Sequence, residues 1–324
     1  MSHTACLSPV VESPPGRWLD GAHPRSEPMA PALAFTPTLR RQLSAWLEED
    51  LGRGDLSAPA LIGHWGRAGW FARRDGVFCG GVLLEPLLRQ LDSRCQVALL
   101  VQDGEAIRAG QRLLELEGPA TALVAAERTA LNLAMRLSGV ATATAELVAL
   151  LAGSGVRLAD TRKTTPGLRV LEKYAVRCGG GLNHRLGLDD AAMLKENHLA
   201  WGGGVAAAVA AVRANAPWPA RLIVEAETAA EARAAVAAGA DAVLLDGFAP
   251  AALGATVPGL RALAAQRGQA VLLEASGVEP SQLAAYASSG VDLISTSAPV
   301  TRSPWLDISM RFEAGLGAAE GLGR

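Results

Sequence analysis

Lysine is nearly missing from this 324-residue sequence: of its 30 lysines and arginines only Lys163, Lys173 and Lys195 are lysine, and all three fall in one short window. A chain that otherwise uses a planar guanidinium for every cation keeps the compact, mobile ammonium for positions that need its shape. Cysteine is as sparse. Cys6, Cys79, Cys95 and Cys178 stand alone, without Cys-x-x-Cys or Cys/His spacing, so neither a disulfide framework nor a zinc site is indicated and a reducing, cytoplasmic setting fits. No apolar run reaches the roughly 18 residues of a membrane span. The net charge is -2 and the basic residues are interleaved with acids, which leaves no electrostatic footprint for nucleic acid. Residues 1–35 contain Pro9, Pro14, Pro15, Pro24, Pro28 and Pro31 and lack the basic start and apolar stretch of a secretion signal, so a disordered tail is expected there. What remains is a globular chain, 50% hydrophobic, whose partners are expected to be small molecules.

Residues 36–130 mix a helix over 39–51, turn signals at Gly52-Arg-Gly-Asp55 and short alternating runs at 66–72, 76–83 and 95–101, a pattern of an α+β layer. A helical pattern follows over 122–151, with a break expected at Ser138-Gly139. Beyond it, strand-length apolar runs at 156–159, 191–194, 221–226, 241–245, 270–273 and 291–294 alternate with helical stretches at 168–177, 206–213, 229–238 and 281–288, and Gly179, Gly239 and Gly290 mark the ends of helices. Such alternation predicts parallel βα units closing into a barrel.

Chemistry in a barrel of this kind sits at the C-terminal ends of its strands. The window Asp160-Thr-Arg162-Lys163-Thr-Thr-Pro-Gly167 ends the first expected strand, Lys195 another, Glu225 and Glu227 the next, followed by Asp246, by Glu274 with Ser276-Gly277, and by Ser295 to Ser297. Arg162, Lys163, His184, Arg185 and Lys195 gathered at one mouth imply a polyanionic ligand, because close positive charges are costly unless an anion fills the space between them. Glu225 and Asp246, on successive tips, suit a hydrated divalent cation beside a phosphate. Ser276, Gly277 and Ser297 can offer hydroxyls and backbone amides to a terminal phosphate. Together these imply a phosphorylated sugar, magnesium and a second anionic substrate. Lys173, on a helix with Glu172 and Arg177, is expected on the surface. His198 is expected to support Lys195, and Glu227 and Glu274 are divided between site and salt-bridge roles.

The chain resembles the quinolinate phosphoribosyltransferases, the carboxylating nicotinate-nucleotide pyrophosphorylases. The likeness runs through Leu47-Glu-Glu-Asp-Leu-Gly-Arg-Gly-Asp55, Arg74-Asp-Gly-Val-Phe-Cys-Gly80, Glu127-Arg128-Thr129-Ala-Leu-Asn132, Leu137-Ser-Gly-Val-Ala-Thr142, Asp160 to Gly167, Glu172 to Gly181, Asn183-His-Arg185, Lys195-Glu-Asn-His198 and Leu306-Asp-Ile-Ser-Met-Arg311. The resemblance implies an α/β fold of type II phosphoribosyltransferase kind: an N-terminal α/β sandwich, residues 36–130 with 305–320, and an open α/β barrel, 131–304. It also implies transfer of phosphoribosyl from phosphoribosyl pyrophosphate to quinolinate with decarboxylation, giving nicotinate mononucleotide. By the same resemblance Arg128, Arg162, His184, Arg185 and Lys195 would hold quinolinate, and Lys163 the sugar or diphosphate. Glu225 and Asp246 would take ribose hydroxyls and magnesium, and Arg128 would reach into the partner subunit's site of a homodimer.

Three positions depart from the family's pattern. Val278 stands where a second glycine is usual, Ser297 where a phosphate-contacting glycine is usual, and Gly247 where an asparagine is usual. A Val278 side chain is expected to crowd the donor's terminal phosphate. Leu245-Asp-Gly-Phe-Ala-Pro250 and Thr296-Ser-Ala-Pro299 are more similar to a molybdenum-transport-associated paralogue, so a paralogue acting on another pyridine or small carboxylate, or a non-catalytic binder, stands as the alternative. A barrel aldolase with Lys163 or Lys195 as a Schiff-base amine is a rival from another class.

Overall fold

The computed structural model describes residues 31–313. Most of the segment expected to be a disordered tail, Cys6 included, lies outside the described residues. The described chain starts with α1 (Pro37–Leu51), where the Thr36 side chain accepts the Leu39 N–H at 3.2 Å and proline occupies the first helical turn. Leu39, Leu43 and Leu47 form its buried face. There follow β1 (Trp65–Ala72), β2 (Gly76–Val77), α2 (Leu84–Leu91), β3 (Gln96–Leu99), β4 (Ala106–Ile107), β5 (Arg112–Pro119) and α3 (Ala120–Leu150).

The barrel elements are β6 (Arg157–Ala159), α4 (Arg169–Cys178), β7 (Ala192–Leu194), α5 (Glu196–Trp201), α6 (Val205–Asn215), β8 (Leu222–Ala226), α7 (Ala229–Ala238), β9 (Ala242–Asp246), α8 (Pro250–Gln266), β10 (Leu272–Ser276), α9 (Leu283–Tyr286), β11 (Leu293–Ser295) and α10 (Ala298–Thr301). The final strand, β12 (Ile308–Phe312), returns to the first sheet, which is antiparallel in the order β12-β1-β5-β3. That sheet and α1, α2 and α3 enclose one apolar core that includes Leu43, Trp70, Leu87, Leu114 and Leu131.

Two expectations fail here for physical reasons. The run 76–83 is extended only at Gly76–Val77 and then turns into a single 3-10 turn at Gly81–Leu83, because the buried Asp103 carboxylate accepts the Gly80 and Gly81 N–H groups at 3.0 and 2.8 Å and draws the backbone out of a ladder. The break expected at Ser138-Gly139 is absent, and α3 is continuous through it. Ser138 Oγ instead accepts the Cys79 N–H at 2.9 Å and donates to its carbonyl at 3.1 Å, while a Cβ at Gly139 would stand 2.1 Å from the Pro304 carbonyl oxygen. Small residues here allow close approach rather than a kink. By length and a mean hydropathy of 1.3 this helix could cross a membrane, yet Ala122, Leu123, Leu131, Leu137 and Val140 are buried within the fold.

The second sheet is parallel, in the order β6-β11-β10-β9-β8-β7, with β6 and β7 as its unjoined edges, so the barrel is open. Leu182 adds one parallel bridge to Ala159 at the β6 edge. Alternation divides each strand. Leu158, Leu194, Leu222, Val224, Val243, Leu245, Leu273, Ala275 and Ile294 face the helices in one core, and Ile223, Ala242 and Leu244 face the barrel's interior in another.

Gly139→Ala is therefore expected to cost about 1 to 3 kcal/mol of stability by overpacking against backbone, read as a lower urea midpoint. Gly254→Ala, in α8 with no atom within 4 Å of the added Cβ, should be neutral or stabilising. Equal effects from the two changes would show that the contact at Gly139 does not constrain the fold.

Candidate active site

Strand register places the polar tips in layers on the inner face. Leu194 pairs with Val224 and Glu225 with Leu244, Leu244 with Glu274, and Glu274 with Leu293. One residue past the Leu194 pairing, Lys195 stands beside Glu225, and their side chains form an ion pair. The layer above holds Asp246 and Ser276, which are paired directly. Glu227, next along from Ala226, reaches the same level: its carboxyl is raised first by a hydrogen bond that its protonated form donates to Glu196 and then by that neighbour's charge, with Glu231 and Asp246 adding to the effect. His198 Nδ1 accepts the Lys195 N–H at 3.2 Å and so caps α5.

The Asn183-His184-Arg185 loop is built on a buried ion pair. Lys173 was expected on the surface, but it is 1% exposed and donates from Nζ to Asp160 Oδ1 at 2.6 Å and to the His184 carbonyl at 2.9 Å. Asp160 also accepts the His184 N–H at 2.7 Å and Asn183 Nδ2 at 2.8 Å. Burial pushes the Asp160 carboxyl up and the Lys173 ammonium down, and the hydrogen bond and charge of each partner draw the other back. The correction has a simple cause: α4 packs against α3 and turns Glu172 and Lys173 inward, where only paired charges survive. The lysine scarcity that singled out the window was the signal for it.

Held this way, His184 Nδ1 accepts the Arg185 N–H at 2.7 Å, which leaves the ring's proton on Nε2, facing Glu274 Oε2 at 3.4 Å inside the barrel. Arg185 is buried and donates to the Ala191 carbonyl at 3.0 Å. Burial lowers its guanidinium, and the nearby Arg162 lowers it further, while Asp190 and Glu225 pull the other way. Arg162, Arg185, Lys195, Asp190 and Glu225 thus share one neighbourhood in which cations and carboxylates are interleaved. Lys163 is exposed just beyond, its N–H bonded to Thr161 Oγ1 at 3.0 Å.

The expected phosphate edge is formed by Gly247, Ser276, Gly277 and Ser297. Gly247 and Gly277 have φ of +68° and +74°, and the Gly247 N–H reaches the Ser276 carbonyl at 3.3 Å. Left-handed backbone is tolerated by glycine and, next best, asparagine, so either residue suits position 247. Ser297 has φ of -88° and starts α10, so it needs no glycine. The Val278 side chain is buried in the core between strands and helices.

Arg128 is not brought to this group. It lies on α3, half exposed, and pairs with its neighbour Glu127 at 3.3 Å. Among the described residues no group of three His, Cys, Asp or Glu side chains forms a metal cage. Glu225 and Asp246 on adjoining strands still fit magnesium, which keeps much of its water and takes further ligands from substrate phosphates.

Models of the N-terminal and C-terminal domains of quinolinate phosphoribosyl transferase match residues 55–138 and 140–311. A Synechocystis protein named probable nicotinate-nucleotide pyrophosphorylase (carboxylating) is 44% identical over 272 residues, 83% of this chain and 91% of its own length. The human nicotinate-nucleotide pyrophosphorylase (carboxylating) is 37% identical over 289 residues, 87% of this chain and 95% of its own. The solved nicotinate-nucleotide pyrophosphorylase of Francisella tularensis superposes with a TM-score of 0.79 at 36% identity, covering 86% of this chain and 98% of that one.

Lys173→Met leaves Asp160 charged, buried and unpaired, and is expected to cost about 3 to 5 kcal/mol in urea unfolding. Adding Asp160→Leu should recover much of that loss. A cost below about 1 kcal/mol for the single change, as for an exposed lysine, would contradict the buried pair.

Proposed function

The chain belongs to the quinolinate phosphoribosyltransferase family, and from that membership and the mouth's geometry we propose that it transfers phosphoribosyl from phosphoribosyl pyrophosphate to quinolinate, with decarboxylation to nicotinate mononucleotide. The observation that carries this reading on the chain itself is the desolvated Arg185 beside Arg162 and the Lys195–Glu225 pair. Quinolinate's two adjacent carboxylates supply the missing negative charge there, with Lys195 turning from Glu225 to the ligand. His184 Nε2 completes the contacts to quinolinate, and Lys163 takes the sugar or diphosphate.

The ring nitrogen then forms a bond to the ribose C1 while the C1–oxygen bond breaks and its electron pair leaves with the diphosphate. Catalysis is largely positioning and stabilisation of charge at the departing group, and no protein nucleophile is required. Glu225 and Asp246 hold the ribose hydroxyls and would hold magnesium. That ion, when bound, neutralises charge on the leaving group. Ser276, Gly277 and Ser297 hold the donor's terminal phosphate. After transfer the carboxylate next to the alkylated nitrogen departs as carbon dioxide, because the pyridinium stabilises the electron pair left on the ring carbon, which is then protonated.

The proposal extends to a cytoplasmic homodimer. A reducing compartment fits the free, buried Cys79, Cys95 and Cys178. Arg128 serves the partner's site, since it is exposed on α3 apart from the cations of its own mouth.

Incubation with quinolinate, phosphoribosyl pyrophosphate and magnesium should yield nicotinate mononucleotide by mass spectrometry, with turnover lost in Lys195→Ala and in Arg185→Ala, since each removes a charge-assisted contact of about 1.5 to 3 kcal/mol. Quinolinate affinity like wild type in both variants would sink the assignment. For the dimer, a mixture of Arg128→Ala and Lys195→Ala chains should regain activity, because a hybrid has one site with both residues. No recovery despite proven subunit exchange would place Arg128 outside the partner's site.

A further inference from the structure

Helix α4 carries two buried charges side by side. Lys173 turns to Asp160 and His184, and Glu172, 0% exposed, turns the other way. Glu172 Oε2 accepts the Thr165 N–H at 2.8 Å. Its Oε1 accepts the Thr165 hydroxyl at 2.8 Å and Arg136 Nε and Nη2 at 3.1 and 2.7 Å. Arg136, arriving from α3, also donates from Nη2 to the Val300 carbonyl at 2.5 Å and from Nη1 to Ser303 Oγ at 3.2 Å. Thr165 lies three residues beyond Arg162, on the loop assigned to the acceptor. Val300 closes the turn of α10 onto the Ser297 carbonyl at 3.0 Å, at the edge assigned to the donor's phosphate. One run of hydrogen bonds therefore joins the two half-sites, with an ion pair shielded from water at its centre.

We infer that Arg136 and Glu172 are positioning residues that couple the two substrates, so that filling the donor's phosphate edge orders the acceptor loop and the reverse. The inference rests on the phosphoribosyl-transfer reading given above. A buried carboxylate whose oxygens are fully engaged resists losing any donor, so neither the Thr165 loop nor the α10 turn moves alone. A ligand that fixes one of them lowers the ordering cost met by the ligand at the other, and the effect is reciprocal by linkage.

The test uses phthalate, which keeps quinolinate's two adjacent carboxylates and lacks the nucleophilic nitrogen, so it binds without reacting. Calorimetry with magnesium, with and without saturating phosphoribosyl pyrophosphate, gives the ratio of the two phthalate affinities. The wild-type chain should bind phthalate at least about fivefold more tightly with the donor present. The ratio should fall toward one in Arg136→Lys, whose ammonium cannot reach Glu172, Val300 and Ser303 together, and in Thr165→Val, which removes only the hydroxyl contact to Glu172. Affinity for phthalate alone should change by less than about twofold, a split that general loosening of the fold would not produce. Thr165→Val, altered at an exposed position, decides the matter if Arg136→Lys does not fold. A wild-type ratio near one, or a ratio unchanged in the folded variants, overturns the coupling. Product formation by the same wild-type preparation with quinolinate keeps the two claims apart: no nicotinate mononucleotide brings down the functional reading, whereas product with an unchanged ratio brings down the coupling alone.

Discussion

Lys173 and Asp160 are withdrawn from water together, and the mouth of the barrel takes its shape from the need to satisfy both charges. Removing two ions from solvent is costly, and the cost is offset only when geometry and extra hydrogen bonds are both good. Here the extra bonds come from the Asn183 amide and the His184 backbone. The pair therefore anchors the end of β6, α4 and the Asn183-His184-Arg185 loop to one another. Arg185 can then stand desolvated beside Arg162, and His184 can send its Nε2 proton into the barrel toward Glu274. Arginines held close together need such a frame, because unrestrained like charges would spread apart.

Much of this was legible in the sequence. The six parallel strands lie within a few residues of the apolar runs, because burial on both faces leaves continuous Val, Ile, Leu and Ala between polar tips. Five of the tips, from Lys195 to Ser295, reach the inner layers that the register defines. What escaped were residues whose role depends on tertiary neighbours. Glu172 and Lys173 read as a solvated helix face because helical periodicity cannot show that α4 is covered on both sides. Asp103 bends the chain at Gly80 from 23 residues away in sequence, beyond any local signal. Ser138-Gly139 reads as a helix break by propensity, yet the helix runs through it, with Ser138 bonded to Cys79 and Gly139 giving room to Pro304.

The residues at positions 247, 278 and 297 each suit the backbone or the packing in which they stand. Glycine for asparagine keeps a left-handed turn, serine occupies ordinary backbone at the start of α10, and valine contributes to the apolar core. Each residue is accommodated by the backbone conformation present.

The central claim is that one mouth both joins the pyridine nitrogen to the sugar and expels the neighbouring carboxylate, in that order. Its most direct test is to supply quinolinate isotopically labelled in the carboxylate next to the ring nitrogen and follow labelled carbon dioxide. The account predicts release only when phosphoribosyl pyrophosphate is present, in step with nicotinate mononucleotide. Release without the donor, or a mononucleotide that retains the label, would contradict it.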